Sequence, residues 1–171
     1  MWSIREILNR VFAFRRKVES GEAFTVSVDE SVASGSKMQL LIINPSGSGK
    51  RVRIEVVEAG GTAKGKLYIY RNVDTSGVSG TALTPMNHDL SRDGGSIMSI
   101  QYLGVDAYDT STLTPSIRRI IPGGSHVRAI GGALSVGELI KMDPGTNLLI
   151  EVINTSTSEA EYSIEVKWYE E

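Results

Sequence analysis

LLIINPSGSGKRVRIEVVE, from Leu40 to Glu58, reads as strand, polar turn, strand. Leu40, Leu41, Ile42 and Ile43 form a short continuous apolar run, which is what a strand covered on both faces requires. After the turn, Val52, Ile54 and Val56 alternate with Arg51, Arg53 and Glu55, so one face is apolar and the other charged. Pro45, Gly47 and Gly49 break the chain between the two runs. The unit predicted is a hairpin, and the second half of the chain makes it again. Leu149 to Asn154 leads into Thr155-Ser156-Thr157-Ser158, and Tyr162 to Val166 follows. Asn44, Ser46, Ser48, Ile54, Glu55 and Val56 have identical partners at Asn154, Ser156, Ser158, Ile164, Glu165 and Val166, all at one offset. Shared turn chemistry in two edge hairpins is the simpler explanation, with duplication as the alternative.

Outward from these units the chain is β in character. Strands are expected over Ala23 to Val28, Ala63 to Arg71, Ile97 to Leu103, Ile117 to Ile121, Val127 to Ile130, Leu134 to Lys141, Leu148 to Ile153 and Tyr162 to Tyr169. Turns are expected at Gly60-Gly61, Gly123-Gly124, Gly131-Gly132 and Asp143-Pro144-Gly145. Two long polar segments, Asn72 to Gly95 and Asp106 to Ser116, interrupt the strands, and loops of that length inside a domain are usually functional or partner-bound. Short strands with long crossings fit an all-β, jelly-roll-like antiparallel β-sandwich over residues 21–171.

Residues 1–20 are the exception. Ser3 and Glu6 have capping-box spacing, and Ile4, Ile7, Leu8, Val11, Phe12 and Phe14 recur at helical spacing, with Val18 closing the stripe. Arg5, Arg10, Arg15, Arg16 and Lys17 fall mostly on the other side, and Ser20-Gly21 stops the helix. A sandwich buries its apolar residues between its own sheets, so this amphipathic helix needs another surface: its own domain, a sister subunit or a larger assembly.

The chain has 171 residues, enough for one domain with a core, and a formal net charge of -2. It contains no cysteine, which rules out disulfides and thiolate chemistry. No apolar run reaches membrane-spanning length, and charged residues interrupt the N-terminus, so use without export, a membrane or nucleic acid is expected.

No catalytic constellation stands out. NPSGSGKR, residues 44–51, lacks the first glycine and the final Ser or Thr of a phosphate-binding loop, and a strand rather than a helix follows it. Pro122-Gly123-Gly124-Ser125-His126 faintly resembles a cupin motif, but a metal site needs more histidines than His88 and His126 supply. His88, Asp89 and Asp93 share the long loop without a recognisable cation-binding spacing. Glu55, Glu58, Glu151 and Glu165 are expected to face solvent in weak pairs, and Trp168, Tyr169 and Tyr162 to close one end of a core. Catalytic residues, cofactors and metals are therefore predicted to be absent.

The string Ile42 to Ile54, the tyrosine-rich strand ending Tyr70-Arg71-Asn72, and Gly80-Thr81-Ala82-Leu83-Thr84-Pro85-Met86-Asn87 resemble small structural proteins of tailed bacteriophages, in which an NPxGSGK hairpin is followed by GTxLTPxN. Ile164 to Glu170 resembles their closing strand. The resemblance implies a non-enzymatic virion protein, assembled in the host cytoplasm, such as a capsid decoration (cement) protein that oligomerises and braces the head. The alternative is a tail accessory or glycan/receptor-binding jelly-roll module. The implied partners are the major capsid protein or another virion protein, together with copies of itself, a trimer being favoured. Trp2, Ile4, Ile7, Leu8, Val11 and Phe12 on the helix, with Pro85 and Met86 in the long loop, are the expected partner-binding residues.

Overall fold

The computed structural model describes residues 14–92, 94–123, 130–131 and 140–171. Twelve strands occupy this part of the chain: β1 Ala23–Val32, β2 Lys37–Ile43, β3 Val52–Gly61, β4 Gly65–Arg71, β5 Thr81–Ala82, β6 Met86–Asn87, β7 Ser99–Val105, β8 Ile117–Ile121, β9 Ile130–Gly131, β10 Ile140–Met142, β11 Asn147–Asn154 and β12 Ala160–Glu170. They form two antiparallel sheets. Sheet one runs β10-β3-β12-β1-β6, with β9 also on β3, and sheet two runs β5-β7-β2-β11-β4-β8.

Eight of these strands pair in nested fashion: β1 with β12, β2 with β11, β3 with β10, and β4 with β8. This is one long hairpin wound into a roll, and the expected jelly-roll sandwich is the fold. Between the sheets lies a core that includes Phe24, Leu40, Ile42, Ile54, Leu67, Ile69, Ile150, Tyr162, Ile164 and Trp168. Phe24 stacks on Trp168 with centroids 6.0 Å apart. Trp168 and Tyr162 thus belong to the core, as their position in the last strand suggested. Each fully buried aliphatic side chain contributes about 1.5–3 kcal/mol relative to exposure.

The repeated strand–turn–strand units are not hairpins. β2 and β11 belong to sheet two, and β3 and β12 to sheet one, so each unit arches from one sheet to the other. The places beside β2 are taken by β7 and β11, so β3 crosses to the other sheet. β2 is buried at five consecutive positions, whereas β3 alternates along its first residues.

The two arches are related by an approximate internal two-fold. β2 pairs β11 with Leu40 opposite Ile150, its own counterpart at the repeat offset. The Gly35 N–H bonds the Asn154 carbonyl at 3.0 Å, and the Gly145 N–H bonds the Asn44 carbonyl at 2.8 Å. Both glycines are left-handed, with φ of 80° and 83°. The matching residues therefore mark equivalent structural positions, not two edge turns of similar composition.

β3 runs through Gly60-Gly61 where a turn was expected, pairing with β12, and the ring of Tyr162 packs over Gly61. A Cβ on Gly61 would collide with Tyr162 Cδ1 and Cε1. Gly61→Ala should therefore lower the unfolding free energy by about 1–3 kcal/mol, measured by urea denaturation.

Candidate functional site

The long segment between β4 and β8 folds back onto its own domain. It supplies β5, β6 and β7 and roofs the outer face of sheet two. Under this roof Leu41, Tyr70, Val73, Leu103 and Leu149 form a second apolar cluster, with Tyr108 and Leu113 packed against it. The continuous apolar runs in β2 and β11 follow from it: alternate residues serve the main core and the roof.

A polar cluster pins the roof down. Glu151, on the outer face of β11, is 1% exposed. This corrects its assignment to a solvent-facing pair, which took the outer face of sheet two to be open. Its Oε2 accepts Gln39 Nε2 at 2.8 Å and Thr110 Oγ1 at 2.9 Å. Lys37 Nζ lies 3.5 Å from the same oxygen, and Oε1 accepts the Tyr70 hydroxyl at 3.2 Å. Burial pushes the Tyr70 hydroxyl up to about 12, so it remains a donor. Gln39 Oε1 accepts the Tyr108 N–H at 2.7 Å while Nε2 donates to the Tyr108 carbonyl at 2.8 Å, so the amide pairs with the roof as a backbone would. A little further along, Asn147 exchanges side-chain bonds with the backbone of Val73 at 2.9 and 3.0 Å.

The two arches carry the other buried amides. Asn44 Nδ2 donates to the carbonyls of Lys50 and Met142 at 3.0 and 3.1 Å, and its Oδ1 accepts Ser48 Oγ at 2.7 Å. Asn154 Nδ2 donates to Val32 and Ser158 at 2.7 and 2.8 Å, and its Oδ1 accepts from Ser156 and from the Tyr162 hydroxyl. In NPSGSGKR the asparagine thus closes the arch internally, in agreement with its reading as a turn.

At the other side of the sandwich a short helix, 14–19, ends at Gly21, whose φ is 73°. The Glu22 N–H bonds the Lys17 carbonyl at 2.8 Å and the Gly21 N–H bonds Val18 at 2.9 Å, a double closure of the helix end. Glu22 takes Lys17 Nζ at 2.7 Å and Lys50 Nζ at 3.2 Å. The hydrogen bond from Lys17 leads in holding its carboxyl at about 2, against the cost of burial, with Lys50 and Ser20 adding to it. That depression stabilises the fold above the ordinary carboxyl range, and the stabilisation is lost progressively as pH falls from 4.5 to about 2. Beside it, Glu170 accepts Ser96 Oγ at 2.6 Å and the Ile97 N–H at 3.0 Å, which ties the long segment to sheet one.

Of the expected partner-binding residues, Trp2, Ile4, Ile7, Leu8, Val11 and Phe12 lie outside the described residues, as do His126 and Asp93. Pro85 and Met86 are described. GTALTPMN runs from β5 at the edge of sheet two to β6 at the edge of sheet one, a strap closing one flank of the sandwich. Pro85 is half-buried in that strap, while Met86 is 52% and nearby Leu90 82% exposed. Gly80 begins the strap because a side chain there would press on the Tyr102 carbonyl, 2.5 Å from a built Cβ. His88 and Asp89 do not converge on an ion. Asp89 accepts Ser91 and Arg92, and Ser91 leads in holding its carboxyl below the ordinary range. Among the described residues no three His, Cys, Asp or Glu side chains are grouped to hold a metal.

A second surface escaped the sequence reading. Lys66, Tyr68, Arg118, Arg119 and Ile120 line a shallow groove of about 490 Å³ where β4 meets β8. Arg118 sits over the Tyr68 ring at 5.7 Å, and Ile120 is 76% exposed. The exposed side of this strand is not separable by pattern, because IRRII shows no clean alternation.

No family model, curated protein or solved structure matches this chain.

Proposed function

We propose that this chain is a non-enzymatic structural protein of a tailed-phage virion, a capsid decoration protein that binds the major capsid protein, oligomerises and braces the head. The carrying observation is where the buried polar groups are used. Asn44, Asn154, Gln39, Glu151 and Glu170 are bonded to the chain's own arches, roof and termini, as suits a building block whose shape must be held fixed. Support also comes from the strap that carries the phage-like GTALTPMN string. It presents Met86, one of the expected partner residues, to solvent, with Leu90 exposed just beyond it, and Asn87 Nδ2 ties it to the Gly21 carbonyl at the end of the helix. Many such contacts of modest strength, repeated over a lattice, give high avidity.

The test is to add purified protein to undecorated heads. Binding, with a rise in the temperature at which the heads open, is expected. Met86→Asp with Leu90→Asp should weaken binding at least tenfold without changing the protein's own unfolding midpoint. Heads that stay bare at micromolar protein would overturn the reading. The groove around Tyr68 and Arg118 favours the second reading, a tail or receptor-binding module that stacks a sugar ring on an aromatic. A glycan array hit lost in Tyr68→Ala would select it.

A further inference from the structure

We propose that His88 is an acid-operated latch, holding the end of the N-terminal helix against the sandwich when neutral and releasing it when protonated. The imidazole is anchored just after β6, where the His88 N–H bonds the Ala23 carbonyl at 2.9 Å. Phe14, in the helix, meets the ring edge-on at 5.8 Å between centroids and an interplanar angle of 77°. The same phenylalanine reaches Tyr169 on β12 at 6.4 Å. Helix, strap and last strand therefore meet at three rings, with the phenylalanine touching both of the others.

His88 Nε2 is buried there without a hydrogen-bond partner among the described residues. A neutral imidazole tolerates this, because the unused nitrogen can be the one without a proton. The protonated ring makes both nitrogens donors and places a charge beneath the phenylalanine with nothing to accept it.

The surrounding charges do not rescue that state. On β12, Glu165 favours the cation and Lys167 opposes it, and the two are paired with each other at 2.6 Å. On the loop, Asp89 is held by Ser91 and Arg92. On the helix side, Glu19 is held by Arg15 and Glu22 by Lys17 and Lys50. Burial, and then Lys167, push the His88 pKa below its ordinary value. The sign follows: docking is fully favoured above the ordinary histidine range and weakens as pH falls through and below it.

Moving Phe14 away restores water to Nε2, so protonation and undocking are coupled. Residues 14–19 would then leave the sandwich in mildly acidic solution while the jelly roll stays folded.

NMR of the full chain between pH 8 and 5 tests this. His88 should titrate below 6.5, and the Phe14–His88 ring contacts should vanish along the same curve. Amide exchange over residues 15–19, corrected for its intrinsic pH dependence, should rise at least tenfold. His88→Phe keeps a ring without a titrating proton and should hold the contact at pH 5, while His126→Asn should leave the transition in place. A His88 midpoint at or above 6.5, or helix release in His88→Phe at the same pH, would overturn the proposal. The titration needs no variant, so a poorly folding substitution does not protect the idea.

Discussion

Glu151→Ala is expected to lower the unfolding free energy by about 3–5 kcal/mol, the range for breaking a buried, hydrogen-bonded charge pair from one side. The carboxylate is the common acceptor for Gln39, Thr110, Tyr70 and the nearby Lys37 ammonium. Removing it leaves three neutral donors and part of a cation facing a hole. Glu151→Gln is a sharper probe of the same site. It keeps the volume and one acceptor but turns an N–H pair toward donors, so a loss of about 1–3 kcal/mol is expected. Thr110→Val removes one donor and leaves the carboxylate its others, so about 1 kcal/mol should be lost. Equilibrium urea unfolding gives all three values. In Glu151→Ala the roof over residues 106–113 should also become cleavable by protease under conditions where the native chain is not. A loss below 1 kcal/mol for Glu151→Ala would mean that the roof is held by its apolar contacts alone.

The same site shows how far sequence reasoning reached. The apolar run Leu40 to Ile43 implied a strand covered on both faces, and it is one. What covers it could not be read, because the roof comes from residues whose pattern is that of a solvated loop. Tyr108, Thr110 and Leu113 are scattered among polar turn residues, and only their three-dimensional return to β2 and β11 gives them a role. The hairpin error has a related origin. Strand, turn and strand are encoded locally, but the choice between an arch and a hairpin depends on which strands already flank β2. Those are β7 and β11, both distant in sequence. The two asparagines were visible as a match at constant offset, and their side-chain bonds were not. His88 reads in sequence as a polar loop residue, since a lone histidine there carries no signal that an aromatic ring from the helix will lie against it.

Asn154→Ala should be nearly as damaging as the loss of Glu151, at about 2–4 kcal/mol. The amide is fully buried and donates to two carbonyls, one at the end of β1 and one in its own arch. Its Oδ1 also receives the Ser156 N–H at 2.8 Å and the Tyr162 hydroxyl at 3.1 Å. Alanine strands donors and acceptors alike, and each buried group left unmet costs about 1–3 kcal/mol before relaxation and water entry. Asn154→Asp should be no better, because the carboxylate keeps the acceptor but turns an oxygen toward the Val32 and Ser158 carbonyls. Asn44→Ala should cost a similar amount, since its amide donates to the Lys50 and Met142 carbonyls, the second equivalent to Val32 under the internal two-fold, and accepts Ser48 Oγ. The two asparagines end opposite sides of the β2–β11 pair, roughly 26 Å apart at the usual rise per residue. Sites so separated do not share partners, so the double variant should lose the sum of the two within about 0.5 kcal/mol. Stability of small domains is about 5–15 kcal/mol, so that sum is expected to bring the chain near unfolding at 25 °C. If either single substitution shifts stability by less than 0.5 kcal/mol in urea titrations, these amides do not hold the two halves together. The fold would then rest on apolar burial alone.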